Sequence, residues 1–318
     1  MNTATRLGSY GAALVVLAGG GYLLGGQVDA GPAAAQHSTH SSMSTPKEGD
    51  QMNMTDNTNS SLPQGLAVAR GGYRLSLPAT GYKAGTQTVS FQILGPDGKP
   101  VTTYRAAHEK DLHLIAVRRD FSGFQHVHPR LDAATGTWSV PLDLTSGTWR
   151  VYADFVPAGG SDLVLASDVL VPGDPGDPSL PDPQRTATVG KYTVTVTGSL
   201  VSGKHSMLDF KVTQDGKPVT TLQPYLGAYG HLVALREGDQ AYLHVHPDGE
   251  PGDGTTAPGP QIGFGAEVPS PGRYHLFLDF KVDGRVYSAP FTLDAARGTT
   301  ASTGDTGGQQ TGSGHDNH

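Results

Sequence analysis

The sequence contains no cysteine. That absence excludes disulfides, thiolate metal sites, cysteine nucleophiles and the lipidated cysteine of a bacterial anchor. Charge is also sparse: Asp, Glu, Lys and Arg make up 16% of the chain, the net charge is -7 and the pI is near 6.0. A nucleic-acid binder needs a clustered basic stripe, so nucleic acid is not an expected partner. No segment beyond the N-terminal hydrophobic stretch carries an apolar stripe at helical spacing. No nucleophile, base and orienter stand in a recognisable arrangement, and no acid/base carboxylate pair is evident, so the primary reading is non-enzymatic.

Glycine and proline, by contrast, are plentiful, with 44 and 23 residues among 318. Between them lie short runs of period two: Tyr192-Thr193-Val194-Thr195-Val196-Thr197 alternates apolar and polar, and Thr88 to Leu94 does likewise. Asp97-Gly98 and Asp215-Gly216 are turn dipeptides between such runs. The expected fold is all-β, two tandem immunoglobulin-like antiparallel sandwiches of about seven strands each. The first is expected over residues 66–172 and the second over 184–295. Residues 173–183 join them, a Pro/Gly/Asp stretch that cannot hold a helix or a central strand. Residues 36–65 and 296–318 are expected to be disordered.

The two halves are copies. With an offset of 118 residues, 97–129 falls on 215–247 without a gap, and fifteen of the thirty-three positions are identical. Asp97-Gly98-Lys99-Pro100-Val101-Thr102-Thr103 matches Asp215 to Thr221, and His113-Leu114-Ile115-Ala116-Val117-Arg118 matches His231 to Arg236. The match resumes where Ser146 to Phe155 falls on Pro271 to Phe280. Each copy therefore carries His-X12-His-Val-His-Pro: His113, His126 and His128 in the first, His231, His244 and His246 in the second. Each also carries one aspartate, Asp154 or Asp279, on an aromatic strand.

Strand parity decides whether the histidines can meet. His126 and His128 lie two apart, so on a strand they share a face. If the turn near residues 119–122 holds an even number of residues, paired positions sum to an odd number and His113 joins that face. It then sits opposite His128, or diagonal to it at about 7 to 8 Å in a neighbouring register. A one-residue slip would send it to the other face. A turn near residues 237–240 obeys the same parity in the second copy. Two metal sites are therefore expected, one per copy: His113, His126, His128 with Asp154, and His231, His244, His246 with Asp279. The aspartates either ligate or accept a hydrogen bond from a ligating imidazole. The plain alternative is a packed polar cluster without metal. Three imidazoles without thiolate suit Cu(II), Zn(II) or Ni(II). His108, His205 and His275 have no counterpart in the other copy and are expected at the surface.

The N-terminus reads as an export signal. Arg6 precedes an uncharged stretch from Leu7 to Gly26 that is long enough to span a membrane. Ala33-Ala34-Ala35 also offers small residues for cleavage before Gln36. Residues 1–35 are thus an anchor or a signal peptide, and the folded part lies outside the cytoplasm on either reading. The following stretch holds His37, His40, Met43, Met52 and Met54; thioether with imidazole favours copper, Cu(I) in particular, which makes these residues candidate auxiliary ligands, the plain alternative being a solvated tether.

Phe124-Gln125-His126-Val127-His128 resembles the Phe-His-Val-His strand of copper-zinc superoxide dismutases, β-sandwiches that are often exported in bacteria. The chain departs from that family at Gln125, in lacking its disulfide cysteines and in having no further histidine cluster for the bridging and zinc ligands. An exported β-sandwich with a Met/His-rich segment is also similar to periplasmic copper-resistance and copper-carrier proteins. Cleavage before Gln36 would make His37 the second residue, similar to the N-terminal amine and histidine copper site in part of that group. The duplicated internal histidines are not that group's pattern. These resemblances imply capture, buffering or delivery of copper, with zinc as the alternative and a metal transporter or cuproenzyme as partner. Two other readings stand beside it: a metal-dependent enzyme of superoxide-dismutase-like or hydrolytic type, and a metal-free envelope adhesion or scaffold protein.

Overall fold

The computed structural model describes residues 63–176, 179–243 and 245–298. The hydrophobic N-terminal segment, the Met/His-rich stretch with His37, His40, Met43, Met52 and Met54, and His244 lie outside these residues. Among the described residues there is no helix, and so none long and apolar enough to cross a membrane.

Each repeat is a two-sheet sandwich. In the first, Ala69–Arg70, Tyr73–Ser76, Gly85–Leu94, Thr137–Leu144 and Arg130–Asp132 form one sheet, and Gln125–Val127, Leu112–Arg118, Gly147–Phe155 and Leu163–Val171 form the other. In the second, a six-stranded sheet includes Tyr192–Gly198, His205–Gln214, Gln261–Glu267 and Val245–Pro247. A five-stranded sheet includes Tyr242–Leu243, Gly230–Arg236, Gly272–Val282 and Arg285–Ala296. Among the described strands every pairing is antiparallel except the short one between Leu200–Val201 and Arg285–Ala296. The first repeat reaches back to Gln64, whose backbone pairs with Tyr242, and the second runs through Ala296, so the fold extends slightly beyond the boundaries expected from composition.

Alternation along the strands sorts side chains as the period-two pattern requires. Tyr192, Val194 and Val196 are buried while Thr193 and Thr195 are half-buried between them. Phe91, Trp138, Trp149 and Phe155 anchor the core of the first repeat; Phe210, Phe264, Phe280 and Phe291 anchor that of the second.

A third apolar cluster belongs to neither sandwich. Ile115, Val117, Phe121, Tyr152, Val164 and Ala166 of the first repeat pack against Val233, Leu235, Tyr242 and Phe277 of the second. Phe124 stacks on Phe277 at 4.0 Å between centroids, nearly parallel, and Tyr152 lies 5.7 Å from Tyr242. These pairs are mutually equivalent under the duplication: Tyr242 stands where Phe124 does, and Phe277 where Tyr152 does. The repeats therefore meet through like faces in a pseudo-twofold arrangement. The histidine-bearing sheets are covered on both sides, one by their own core and the other by the neighbouring repeat.

Candidate metal centre

His113 is the second residue of Leu112–Arg118, a strand whose two faces have different neighbours. Leu112, Leu114 and Ala116 enter their own sandwich core; His113, Ile115 and Val117 face the other repeat, and His113 is only 6% exposed. The hairpin partner is in register with Leu114 opposite Val127, Ile115 opposite His126 and Ala116 opposite Gln125. These pairs sum to an odd number, so the register carries on to set His113 opposite His128, just past the strand end.

The three rings converge. His113 Nδ1 lies 3.1 Å from His126 Nε2 and 3.2 Å from His128 Nε2, and one nitrogen from each ring falls within 4.8 Å of the others. Two imidazoles on one tetrahedral ion, at metal–nitrogen distances of about 2.0 to 2.1 Å, have nitrogens about 3.3 Å apart. The observed separations are close to that value.

The outer nitrogens are tied down. His113 Nε2 donates to the carbonyl oxygen of Ala107 at 3.0 Å, and His126 Nδ1 donates to Asp279 Oδ2 at 2.8 Å. Asp279 comes from the second repeat, is 2% exposed, and also accepts from the Ser288 hydroxyl. A neutral imidazole has one N–H. In the neutral form that a metal requires, both rings commit that hydrogen outward, and the facing nitrogens His113 Nδ1 and His126 Nε2 are both acceptors. Two lone pairs at 3.1 Å repel each other, and a cation between them removes the conflict. Burial, then the proximity of His126, pushes the His113 pKa down to about 3; burial first, and again His126, pushes His128 down to about 4. Both rings are therefore neutral near pH 7, the form a metal requires.

Of the second set, His231 and His246 lie within the described residues. His231 repeats the anchoring of His113: its Nε2 donates to Leu226 O at 3.0 Å, and burial lowers its pKa to about 4. His246, however, is exposed on Val245–Pro247, a strand that leaves the His231 sheet to pair with Gln261–Glu267. Among the described residues, which do not include His244, a single histidine triad forms, and Asp279 of the other repeat bonds to it. Asp154, placed with the first triad by sequence, is the cross-strand partner of His113 and accepts a hydrogen bond from Tyr242 of the second repeat at 3.1 Å. Burial, followed by the nearby Asp162, raises its pKa to about 7. Asp279, placed with the second set, is the cross-strand partner of His231 and also bonds to His126 of the first.

A cavity of about 230 Å³ adjoins the triad between the repeats, with His113, His126, His231, His108, Asp154 and Tyr242 among its lining residues. His108 is exposed, as expected from the sequence, and its ring lies 5.0 Å from the His231 ring centroid. It sits at a turn whose central residues, His108 and Glu109, both have positive φ, a conformation that costs non-glycine residues energy and holds the ring over the second repeat. His275, by contrast, is not at the surface: it is 2% exposed, stacked on Phe121 at 3.7 Å and hydrogen bonded to Glu237. His205 is exposed.

One family model, described as a domain of unknown function (DUF8832), matches residues 67–171 and again residues 187–297. The chain belongs to the DUF8832 family. Its two copies of the domain are the two sandwiches just described. No curated protein matches the chain. Solved structures with a loosely similar outline include a protein from Corynebacterium diphtheriae described as membrane anchored (12% identity, TM-score 0.21), of which the chain spans 59% while 71% of the chain is covered. Others are MtrC from Shewanella baltica (8% identity, TM-score 0.23, 71% of this chain and 70% of that one) and the D00-D0 domain of intimin (11% identity, TM-score 0.20, 70% and 98%). Likenesses at this level carry no inference about function or location.

Proposed function

We propose that the protein binds one transition-metal ion at His113, His126 and His128, outside the cytoplasm, and that its work is to capture, buffer or deliver that ion. Copper is the favoured cargo and zinc the alternative, because three imidazoles without thiolate suit both and the N-terminal stretch adds thioethers that suit copper. One observation carries the reading. The outer nitrogens of His113 and His126 bond to groups that only accept, Ala107 O and the Asp279 carboxylate, so in the neutral, ligating form of both rings the inner lone pairs converge. Outer acceptors of this kind fix ring tautomer and orientation at metal sites. Export follows from the N-terminal signal, and a metal transporter or a cuproenzyme is the expected partner.

The test is the metal content of the full chain, measured by mass spectrometry under native conditions after loading with Cu(II) or Zn(II) and removal of excess. One ion per chain is expected at the internal centre, absent in His126→Ala and retained in His231→Ala. No ion in the parent protein, with the fold intact, would sink the proposal.

A second reading has its own support. The apolar cluster between the repeats, with the Phe124–Phe277 stack, already joins them without an ion. In that reading the protein is a metal-free envelope scaffold, and the triad is a polar patch inside its interface. A null metal titration together with unchanged stability in His126→Ala would establish it.

A further inference from the structure

Met207 is the one methionine beyond the initiator and the N-terminal Met/His-rich stretch. It lies on His205–Gln214, where residues alternate between exposed and buried, and it is 42% exposed on the outer face together with His205. Met207 is the register partner of Gly265, and Gly265 on its other side is the partner of His246. The three positions form a row across neighbouring strands, on the face turned away from the core.

The middle of that row carries no side chain of its own, because residue 265 is glycine. A Cβ there would lie 2.6 Å from Cε1 and 3.1 Å from Nε2 of His205, so the His205 ring rests directly on Gly265. Gly265 lies within a regular strand, so the turn or bulge geometry that commonly calls for glycine is not at issue; the room it leaves is taken by an imidazole. His205 Nδ1 is 3.8 Å from the Glu267 carboxylate, leaving Nε2 toward the row. Laterally paired positions place their Cβ atoms about 4.5 to 5.5 Å apart, a span that a methionine and an imidazole both reach from either side.

We propose that His205, Met207 and His246 form a solvent-facing site for a soft monovalent cation of the Cu(I) class, above Gly265. Two imidazoles and a thioether are the donor set that selects such an ion over harder divalent cations. The site shares no residue with the buried triad, lies on a different sheet, and stands or falls independently of it.

The probe is Ag(I), a redox-inert stand-in for Cu(I), titrated into the full chain while the methionine methyl groups are followed by NMR. Met207→Leu assigns the Met207 signal and separates it from those of the N-terminal methionines. The Met207 methyl is expected to shift, with binding weakened at least about tenfold in His205→Gln, in His246→Gln, and in Gly265→Ala, which dislodges the His205 ring. His126→Ala should leave that response unchanged. A Met207 methyl that Ag(I) does not move would overturn the proposal, as would one that moves equally in His246→Gln, since an isolated thioether would then be the binder.

Discussion

The two repeats carry the same histidines and differ in where the chain changes sheets. In the first, Gln125–Val127 stays beside Leu112–Arg118, and the crossing to the far sheet comes only at Arg130–Asp132. In the second, Tyr242–Leu243 pairs with Gly230–Arg236, and Val245–Pro247 already belongs to the far sheet. Val245 is the counterpart of Val127, so the crossing arrives a few residues earlier. That shift keeps His128 against His113 and sends His246 to solvent. Register alone would have set His231 opposite His246, as the sum of the paired positions shows. The strand path after the motif therefore decides whether the last histidine of each copy stays beside the first.

The largest expected effects break this comparison at the histidines themselves. His126→Ala removes the ring that links the triad to Asp279, so the internal ion is lost and with it the stabilisation ligand binding confers, about 2.7 kcal/mol at a hundredfold excess over Kd. His246→Ala at the counterpart of His128 should keep that ion and the metal-dependent rise in melting temperature. Thermal unfolding with and without Zn(II) reads both, and equal losses in the two variants would show that the repeats act alike after all.

Next come the aspartates, of which Asp279 bonds to a histidine of the other repeat and Asp154 to a tyrosine. Asp279→Asn removes the acceptor that orients His126 and should weaken metal binding by roughly 10- to 100-fold. Asp154→Asn, whose side chain accepts from Tyr242, should leave the affinity within a few-fold of the parent. Competition with a chromophoric chelator measures both. A larger effect from Asp154→Asn would place that carboxylate on the ion.

Much of the fold was legible because it rests on local rules: alternation in Tyr192 to Thr197, glycine turns after Asp97 and Asp215, and proline in the linker. The parity of the His113 hairpin was legible for the same reason, since two is the only period a strand allows. Which outer face meets which was not, because alternation marks a face as apolar without naming its partner. A signal was nonetheless present. Leu112 to Val117 is apolar at every position but His113, the mark of a strand buried on both sides, and Phe124 and Tyr242 stand at equivalent positions on the faces that meet. The earlier crossing in the second repeat left no comparable trace, as it depends on how Val245 and Pro247 pack rather than on a local turn code.

The histidines and Asp154 pull stability in opposite directions with pH in the metal-free protein. His113, His128 and His231 have folded-state pKa values lowered to about 3, 4 and 4, so the unfolded chain binds more protons as pH falls below about 6.5. Stability they contribute is therefore lost on acidification from about 6.5 toward 4. Asp154, raised to about 7, binds its proton in the folded state first, so its ionisation costs stability as pH rises from about 4 to 7. Three groups outweigh one, and the urea midpoint measured in chelator should fall as pH drops across this window. Asp154→Asn, by removing the opposing group, should steepen the fall; an unchanged slope would show that Asp154 does not hold its proton at neutral pH.

The smallest effect tests how far the pseudo-twofold contact is shared energetically. Tyr242 and Phe124 are equivalent, yet only Tyr242 carries a hydroxyl, and that hydroxyl donates to Asp154 across the interface. Tyr242→Phe makes the two positions alike while keeping the ring beside Tyr152. A hydrogen bond to a buried acceptor contributes about 1 kcal/mol net, so the urea midpoint should fall by a corresponding small amount with the slope of the transition unchanged. A loss several times larger would mean that the Tyr242–Asp154 contact, rather than the stacked aromatic pairs, holds the repeats together. A gain would mean that the hydroxyl is kept at a cost to stability, for what it does to Asp154 beside the cavity.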